Sequence, residues 1–390
     1  MGPGSGATLT LSATYPGLRV LDLATNLAGP YAAMILGDMG ADVIKIERSP
    51  NGDDTRGLPP TVDGQSTVFL AVNRNKRSIM LDFKSDEDMA ILRELVKSAD
   101  VVIESFPPGV AEKLSLTWED LSAINPSLLL ASISAFGEGA EGRIMPGYDA
   151  LVQAASGLMS FIGNEGEPTV RIAPSVLDLS TGMWTAMGLM AALARRSISG
   201  SKGEHLRPAL LDTAFNLMNH QLMAFFGTGD EPRKLGAGAP SAAPYGVYRA
   251  ADGELLIATA SEEQFPRLCN ALGLHSVKVD PRFETMAGRI AHRAEIDAAI
   301  GHAVRARTID DLLALFAEAR ISAGRVNSVG EALALSVVRE RDLFTKSERG
   351  NQLPQIRLPI GNASGSVRRG PPALDEHRSE ILTELADRRS

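Results

Sequence analysis

The first two hundred residues alternate short apolar runs with stretches of helical spacing. Residues 19–24 (RVLDLA), 42–47 (DVIKIE), 78–83 (SIMLDF), 101–104 (VVIE) and 128–134 (LLLASIS) are too short for helices. They are rich enough in Val, Ile and Leu for burial on both faces. Between them, residues 31–39 and 86–98 have helical spacing, and in the second Met89, Leu92, Leu95 and Val96 share one face. This alternation predicts an α/β fold with a parallel sheet covered by helices on both sides. Residues 179–195 (LSTGMWTAMGLMAALAR) form an unusually apolar helix, with small residues at Gly182, Ala186, Gly188 and Ala191. Asp178 stands directly before that helix, where an N-cap is expected.

Beyond about residue 225 the texture changes. Residues 227–244 are rich in Gly, Ala and Pro and predict a loop or linker. Residues 245–249 and 254–259, split by Asp252-Gly253, predict a β-hairpin. Helical segments follow at 262–272, 290–304 and 309–319, which points to a second, smaller α+β domain. The tail at 353–367 is loop- and strand-like, and 376–385 is helical.

Composition narrows the classes. A chain of 390 residues has room for two or three domains. With 47 acidic against 39 basic residues, a net charge of -8 and no basic tail, nucleic-acid binding by bulk electrostatics is disfavoured. A single cysteine excludes an intrachain disulfide and a Cys-rich zinc site. No stretch reaches the ~20 apolar residues of a membrane span, and the longest, 182–194, fits a buried helix. No secretory signal is recognisable. The opening Met-Gly-Pro-Gly-Ser-Gly has the look of a cloning remnant, and Gly6 stands where a myristoylation signal needs Ser or Thr. The expected location is cytoplasmic.

Candidate chemistry is sparse. Residues 137–142 (GEGAEG) match G-x-G-x-x-G, but Pro146 follows before a helix can open, and the first βα turn lacks the pattern. His205, His220, His275, His292, His302 and His377 show no paired ligand spacing, so no metal is expected. Cys269 lies at helical spacing among apolar residues and fits a small core side chain. Lys45, Arg48, Arg74, Lys76, Arg77 and Lys84 make the N-terminal half locally basic, as a solvated face or a phosphate-binding patch. Tyr148 or Asp149 caps a second apolar segment, 150–162. Asp178 has two compatible readings. It is a helix cap, or it is a carboxylate nucleophile kept ionised by the helix N-terminus beside a water-poor wall.

Several long motifs, in order, resemble the family III CoA-transferases. They are LDLATNLAGPYAAMILGDMGADVIKIE (21–47), NRNKRSIMLDFKS (73–85), ADVVIESFPPGV (99–110), ASISAFGEG (131–139) and PGYD (146–149). DLSTGMWTAMGLMAAL (178–193), LLDTA (210–214), PYGVYRAADG (244–253), DPRF (280–283) and RVNSVGEAL (325–333) complete them. The resemblance implies a Rossmann-like large domain with a parallel sheet, starting in residues 1–225. It implies a smaller domain at 226–325, a return segment at 326–390, and an interlocked homodimer. It implies transfer of CoA from an acyl-CoA donor to a carboxylic acid through an aspartyl mixed anhydride on Asp178. CoA is then a substrate, and no resident cofactor is implied. The implied CoA contacts are Leu27, Ala28, Arg48, Leu81, Lys84, Ser105, Phe106, Lys113, Met145 and Tyr148. Asp149, Gly236, Ala237 and Gly238 fall to the substrate pocket.

Racemase members of the family carry His-Asp where this chain has Tyr148-Asp149, which weighs against an acyl-CoA racemase or epimerase. Oxalate-using members frame their diacid with two aromatics, where this chain has Leu58 and Val68, which favours a larger or less polar acyl group. Besides the racemase, a CoA-binding protein without catalysis stands as an alternative.

Overall fold

In the computed structural model, which describes residues 10–200, 202–346, 353–360 and 367–388, the apolar runs pair into one six-stranded sheet. The opening hexapeptide and residues 361–366 of the predicted tail lie outside the described residues. The strands are β1 (Arg19–Asp22), β2 (Asp42–Arg48), β3 (Lys76–Leu81), β4 (Val101–Glu104), β5 (Leu129–Ser132) and β6 (Glu204–Leu206). Their order is β3-β2-β1-β4-β5-β6, and every pairing is parallel. This is the Rossmann-type order, reversing direction between β1 and β4. Val20, Leu21, Ile44, Ile79, Val101, Ile103 and Leu129 are buried, as a sheet covered on both sides requires. β6 escaped the sequence pattern because it is short, half-buried and begins with Glu204-His205.

The helices that matter for the site include α1 (Ala28–Asp38), α2 (Asp86–Lys97), α3 (Asp149–Ala155), α4 (Val176–Ser199) and α5 (Leu210–Leu217). α2 follows helix rules closely. Ser85 caps it by accepting from the Asp88 N–H, acidic residues fill its first turn, and Lys97 closes it. Its buried residues are Met89, Leu92, Leu95 and Val96, the face read from spacing. Segment 150–162 is not one helix: α3 stops at Ala155, and Gly157 at φ +86° breaks the run.

α4 begins earlier than expected. Its N-cap position is Ser175, so Asp178 is the third residue of the helix and not its cap. α4 has the length and composition of a membrane span, although half of its most apolar window is buried inside the protein. Leu177, Thr181, Gly182, Thr185, Ala186 and Leu189 face inward, while Met183, Trp184 and Met187 are exposed.

Four of the six basic residues singled out in the N-terminal half belong neither to a solvated face nor to a phosphate patch. Lys45, Arg74, Lys76 and Arg77 are buried, because β2 and β3 carry three of them into the sheet. Arg74 pairs with Asp38 at 2.6 Å and Arg77 with Asp42 at 2.7 Å. A buried cation needs such a partner to offset its desolvation. Arg48 and Lys84 stay exposed.

The chain divides into two compact units. The larger comprises Met1–Ser156, Ile172–Met223 and Asp342–Ser390; the smaller comprises Gly157–Arg171 and Ala224–Arg341. The boundaries expected from the sequence were at 225 and 325. The C-terminal helix Arg378–Asp387 belongs to the larger unit, where Ile381 and Leu385 join the core formed by Leu21, Ile44, Ile79 and Leu92. In the smaller unit, β7 (Tyr245–Arg249), β8 (Glu254–Ala258) and β9 (Ser322–Arg325) form an antiparallel sheet in the order β9-β8-β7. α6 (Gln264–Leu272), α7 (Arg293–Val304) and α8 (Ile309–Glu318) share its core. Cys269 is part of that core, and burial pushes its thiol up to about 11, away from reactivity.

Candidate active site

A parallel sheet of this order opens a crevice at the carboxyl ends of the strands where the order reverses, here β1 and β4. The loops after these strands are tied together. Thr25 donates its N–H to Ser105 Oγ at 3.2 Å. Asn26, at φ +64°, turns the chain into α1, leaving Leu27 at the N-cap position and Ala28 as the first helical residue. Two buried lysines hold the turn by its carbonyls. Lys45 Nζ donates to Ala24 O at 3.0 Å, and Lys76 Nζ donates to Pro30 O at 2.8 Å. Asp22 lies between them, 3.6 Å from Lys45 and 2.7 Å from Lys76. Burial drives Lys76 down to about 8 against the pull of Asp22. For Lys45 burial is outweighed by Asp22, Asp53 and Glu47, so its pKa ends above the ordinary value.

The same edge of the sheet carries other expected residues. Arg48 ends β2 and pairs in register with Leu81, which ends β3; Lys84 follows shortly after. Ser105 and Phe106 follow β4, whose last residue, Glu104, accepts from the Phe106 N–H at 2.7 Å. Burial raises the Glu104 carboxyl. Lys113 lies in the short helix Val110–Leu114 and is exposed, as are Met145 and Tyr148 ahead of α3. Tyr148 occupies the N-cap position of α3 without capping it by its side chain.

Asp178 sits one turn before Gly182, where α4 presses on the start of α1. A Cβ on Gly182 would lie 2.6 Å from Ala28 O, so only glycine allows this approach. The helix that carries Asp178 is thus packed directly against the turn at the crevice. The α4 N-terminus is capped from another helix. Asp149 Oδ2 accepts from the N–H of Leu177 at 2.8 Å and of Asp178 at 3.2 Å. Gln153, fully buried one turn along α3, donates from Nε2 to Asp149 Oδ1 at 2.5 Å. Gln153 Oε1 also accepts from the Ile172 N–H at 2.9 Å, fixing the strand of chain that leads into α4.

This arrangement settles the electrostatics of Asp178. Asp149 takes N–H groups of the first turn, and among the described residues none donates to the Asp178 carboxylate. Burial, reinforced by the Asp149 charge, pushes Asp178 up to about 7. A carboxylate with so few hydrogen bonds is a better nucleophile than a solvated one. Asp149, expected in the substrate pocket, is buried with both oxygens occupied. Gly236, Ala237 and Gly238 belong to the smaller unit, where Gly236 donates its N–H to Gly163 O at 2.8 Å. Among the described residues no group of His, Cys, Asp and Glu is disposed to hold a metal.

The sequence matches the family model for CoA-transferase family III over residues 15–378. A succinate–glutarate CoA-transferase of Agrobacterium fabrum is 38% identical over 380 residues, 95% of each chain. The chain belongs to CoA-transferase family III. Within the family, it is also 36% identical over 374 residues to an acetyl-CoA:oxalate CoA-transferase of Acetobacter aceti, covering 95% of this chain and 96% of that one. The crystal structure of a CAIB/BAIF family protein from Brucella suis superposes with a TM-score of 0.86 at 35% identity, covering 97% of this chain and 100% of that one. This family III chain is therefore an enzyme, a CoA-transferase.

Gln153 and the Asp22–Lys45–Lys76 cluster were not found by sequence reasoning. A signal existed for each. Gln153 is four residues after Asp149, which puts both on one helical face. Asp22, Lys45 and Lys76 are charges inside or beside strands expected to be buried on both sides, where only mutual pairing can accommodate them.

Proposed function

We propose that the enzyme moves CoA from an acyl-CoA donor to a carboxylic acid acceptor with Asp178 as the nucleophile. The observation that carries this reading is the Asp178 carboxylate itself, half-buried, without a hydrogen-bond donor among the described residues, on a helix that the Gly182 contact packs against the start of α1. An Asp178 oxygen attacks the thioester carbonyl, and the CoA thiolate leaves, giving a mixed anhydride. The thiolate then attacks the aspartyl carbonyl, expelling the donor acid and leaving an aspartyl-CoA thioester. The acceptor carboxylate attacks that thioester, the thiolate leaves again, and it takes the new acyl group from the second anhydride. Acyl activation is kept throughout, so no nucleoside triphosphate is needed, while water has to be kept out.

The CoA contacts assigned here are Leu27, Ala28, Arg48, Leu81, Lys84, Ser105, Phe106, Lys113, Met145 and Tyr148. Their support is the shared carboxyl edge of the sheet for the residues that end or follow β1 to β4. The acceptor proposed is a dicarboxylic acid longer than oxalate. Leu58 and Val68 offer apolar contact, and the Agrobacterium relative is named for succinate and glutarate. The homodimer is proposed on the exposed Met183, Trp184 and Met187 of α4, an apolar surface of the kind that associates.

The test is Asp178→Ala assayed with succinyl-CoA and a panel of mono- and dicarboxylic acids by mass spectrometry. Transfer is expected to disappear, and hydroxylamine is expected to trap a modified Asp178 in the unaltered enzyme only. Turnover retained by Asp178→Ala overturns the mechanism.

A further inference from the structure

The smaller unit contains a cavity of about 360 Å³ between α7, β7 and the loop around Gly238. Its position in the sequence is ordered. Arg293, Asp297 and Gly301 recur every four residues, with Arg305 next at the C-cap, so α7 turns one face to it. β7 supplies the opposite wall and is the edge strand of its sheet. The ladder bonds at its two ends run from Ala250 N to Gly253 O and from Thr259 N to Pro244 O. They make the even-numbered residues of β7 the bonded ones and leave the N–H groups of Tyr245, Val247 and Arg249 on the free edge.

The charges are lopsided. Three guanidinium groups line the cavity, from Arg249, Arg293 and Arg305, against one lining carboxyl group, that of Asp297, with Glu254 3.9 Å from Arg249. Asp297 is already engaged, accepting from Tyr248 OH at 2.6 Å. Arg293 is fixed through Nη2, which donates to Ala239 O at 2.5 Å and Ala242 O at 2.8 Å. Its Nη1 is buried and has no hydrogen-bond partner among the described residues. It lies beside Gly238, whose Cβ, if present, would be 3.4 Å from it. A guanidinium nitrogen left unpaired is costly, and an oxyanion is the group that best satisfies it. In a chain of net charge -8, a cavity with three arginines is a local reversal of sign.

We propose that this cavity is an oxyanion-binding site of the smaller unit, taking the carboxylate of a small organic acid or a phosphate group of CoA. Both are oxyanions that guanidinium groups and free edge-strand N–H groups recognise, and the volume accommodates either. The proposal uses the ligands of the proposed function but not Asp178, so the two can fail separately.

The experiment is calorimetric titration of the full-length enzyme with glutarate, inorganic phosphate and CoA in turn. It is repeated with Arg305→Ala, Arg249→Ala and Asp178→Ala, the two arginines being at the surface and free of core packing. At least one probe is expected to bind saturably, with affinity falling at least tenfold in Arg305→Ala and Arg249→Ala and by less in Asp178→Ala. Loss confined to glutarate assigns the site to the acid, and loss confined to CoA and phosphate assigns it to the cofactor. Binding that is indifferent to both arginine substitutions, or no saturable binding of any probe, overturns the proposal.

Discussion

Asp178 is asked to do two opposed things. It has to shed its proton to attack, yet burial and the Asp149 charge hold that proton up to a pH of about 7. The rate constant kcat/KM is therefore expected to rise with pH through about 7 and then level off. Asp149→Asn removes the neighbouring charge while keeping a side-chain oxygen for the Leu177 N–H, and the midpoint is expected to move to lower pH. An unchanged midpoint would refute the coupling. The same shift has a cost in stability. A carboxyl group whose pKa is raised by folding contributes fully below its unfolded value, near 4, and that contribution is lost as pH rises through about 7. Asp178→Asn is expected to melt above the parent enzyme at pH about 8.5, by at most about 4 kcal/mol, and with it at pH about 4. Equal melting at the higher pH is the adverse result. Of this small group, the sequence made Asp178 readable because it opens an apolar helix. Gln153 was not, since a glutamine among apolar neighbours has no distinguishing pattern until Asp149 is seen beside it.

Between elements, the decisive contact is α1 against α4. Gly182 was legible only as one of several small residues, and spacing alone could not say which of them met a backbone. Gly182→Leu forces a side chain into the 2.6 Å gap to Ala28 O. It is expected to destabilise the enzyme by about 1–3 kcal/mol and to lower kcat further than Gly188→Leu does. At Gly188 the nearest atom is a flexible Leu206 methyl at 2.8 Å, which can give way. Parallel measurements of melting and turnover for the two variants separate these effects; similar losses in both would argue against the α1 contact. Helix starts were the least legible feature. Val176, Leu177 and Asp178 join α4 because Asp149, from a separate helix, supplies the cap that local sequence does not. The α2 boundaries, by contrast, were visible in advance because Ser85 and the acidic first turn cap that helix from within.

On the scale of the whole molecule, a parallel sheet was implicit in alternating strands and helices, whereas its sixth strand and the pairing between distant charges were not. Lys45 and Lys76 looked like surface cations because their partner, Asp22, lies in another strand; only the sheet brings the three together. The proposed homodimer is tested at this level. Trp184→Glu combined with Met187→Glu is expected to lower the mass measured by light scattering to that of one chain, and an unchanged mass counts against α4 as the interface. Removal of the C-terminal helix is expected to be severe, since it takes away Ile381, Leu385 and the Glu384 partner of Arg19 and Arg77.

That last pairing bears on how the protein is made. Arg77 and Glu384 stand 307 positions apart, so on the ribosome the first cannot meet the second for about 15–60 s at ordinary elongation rates. Every residue of the smaller unit emerges before Asp342, while the larger one is still missing its final stretch. The smaller unit is therefore free to fold during translation, before the stretch from Asp342 that completes the larger unit has been made. In that interval the core around Leu21, Ile44 and Ile79 lacks the cover that Ile381 and Leu385 give it.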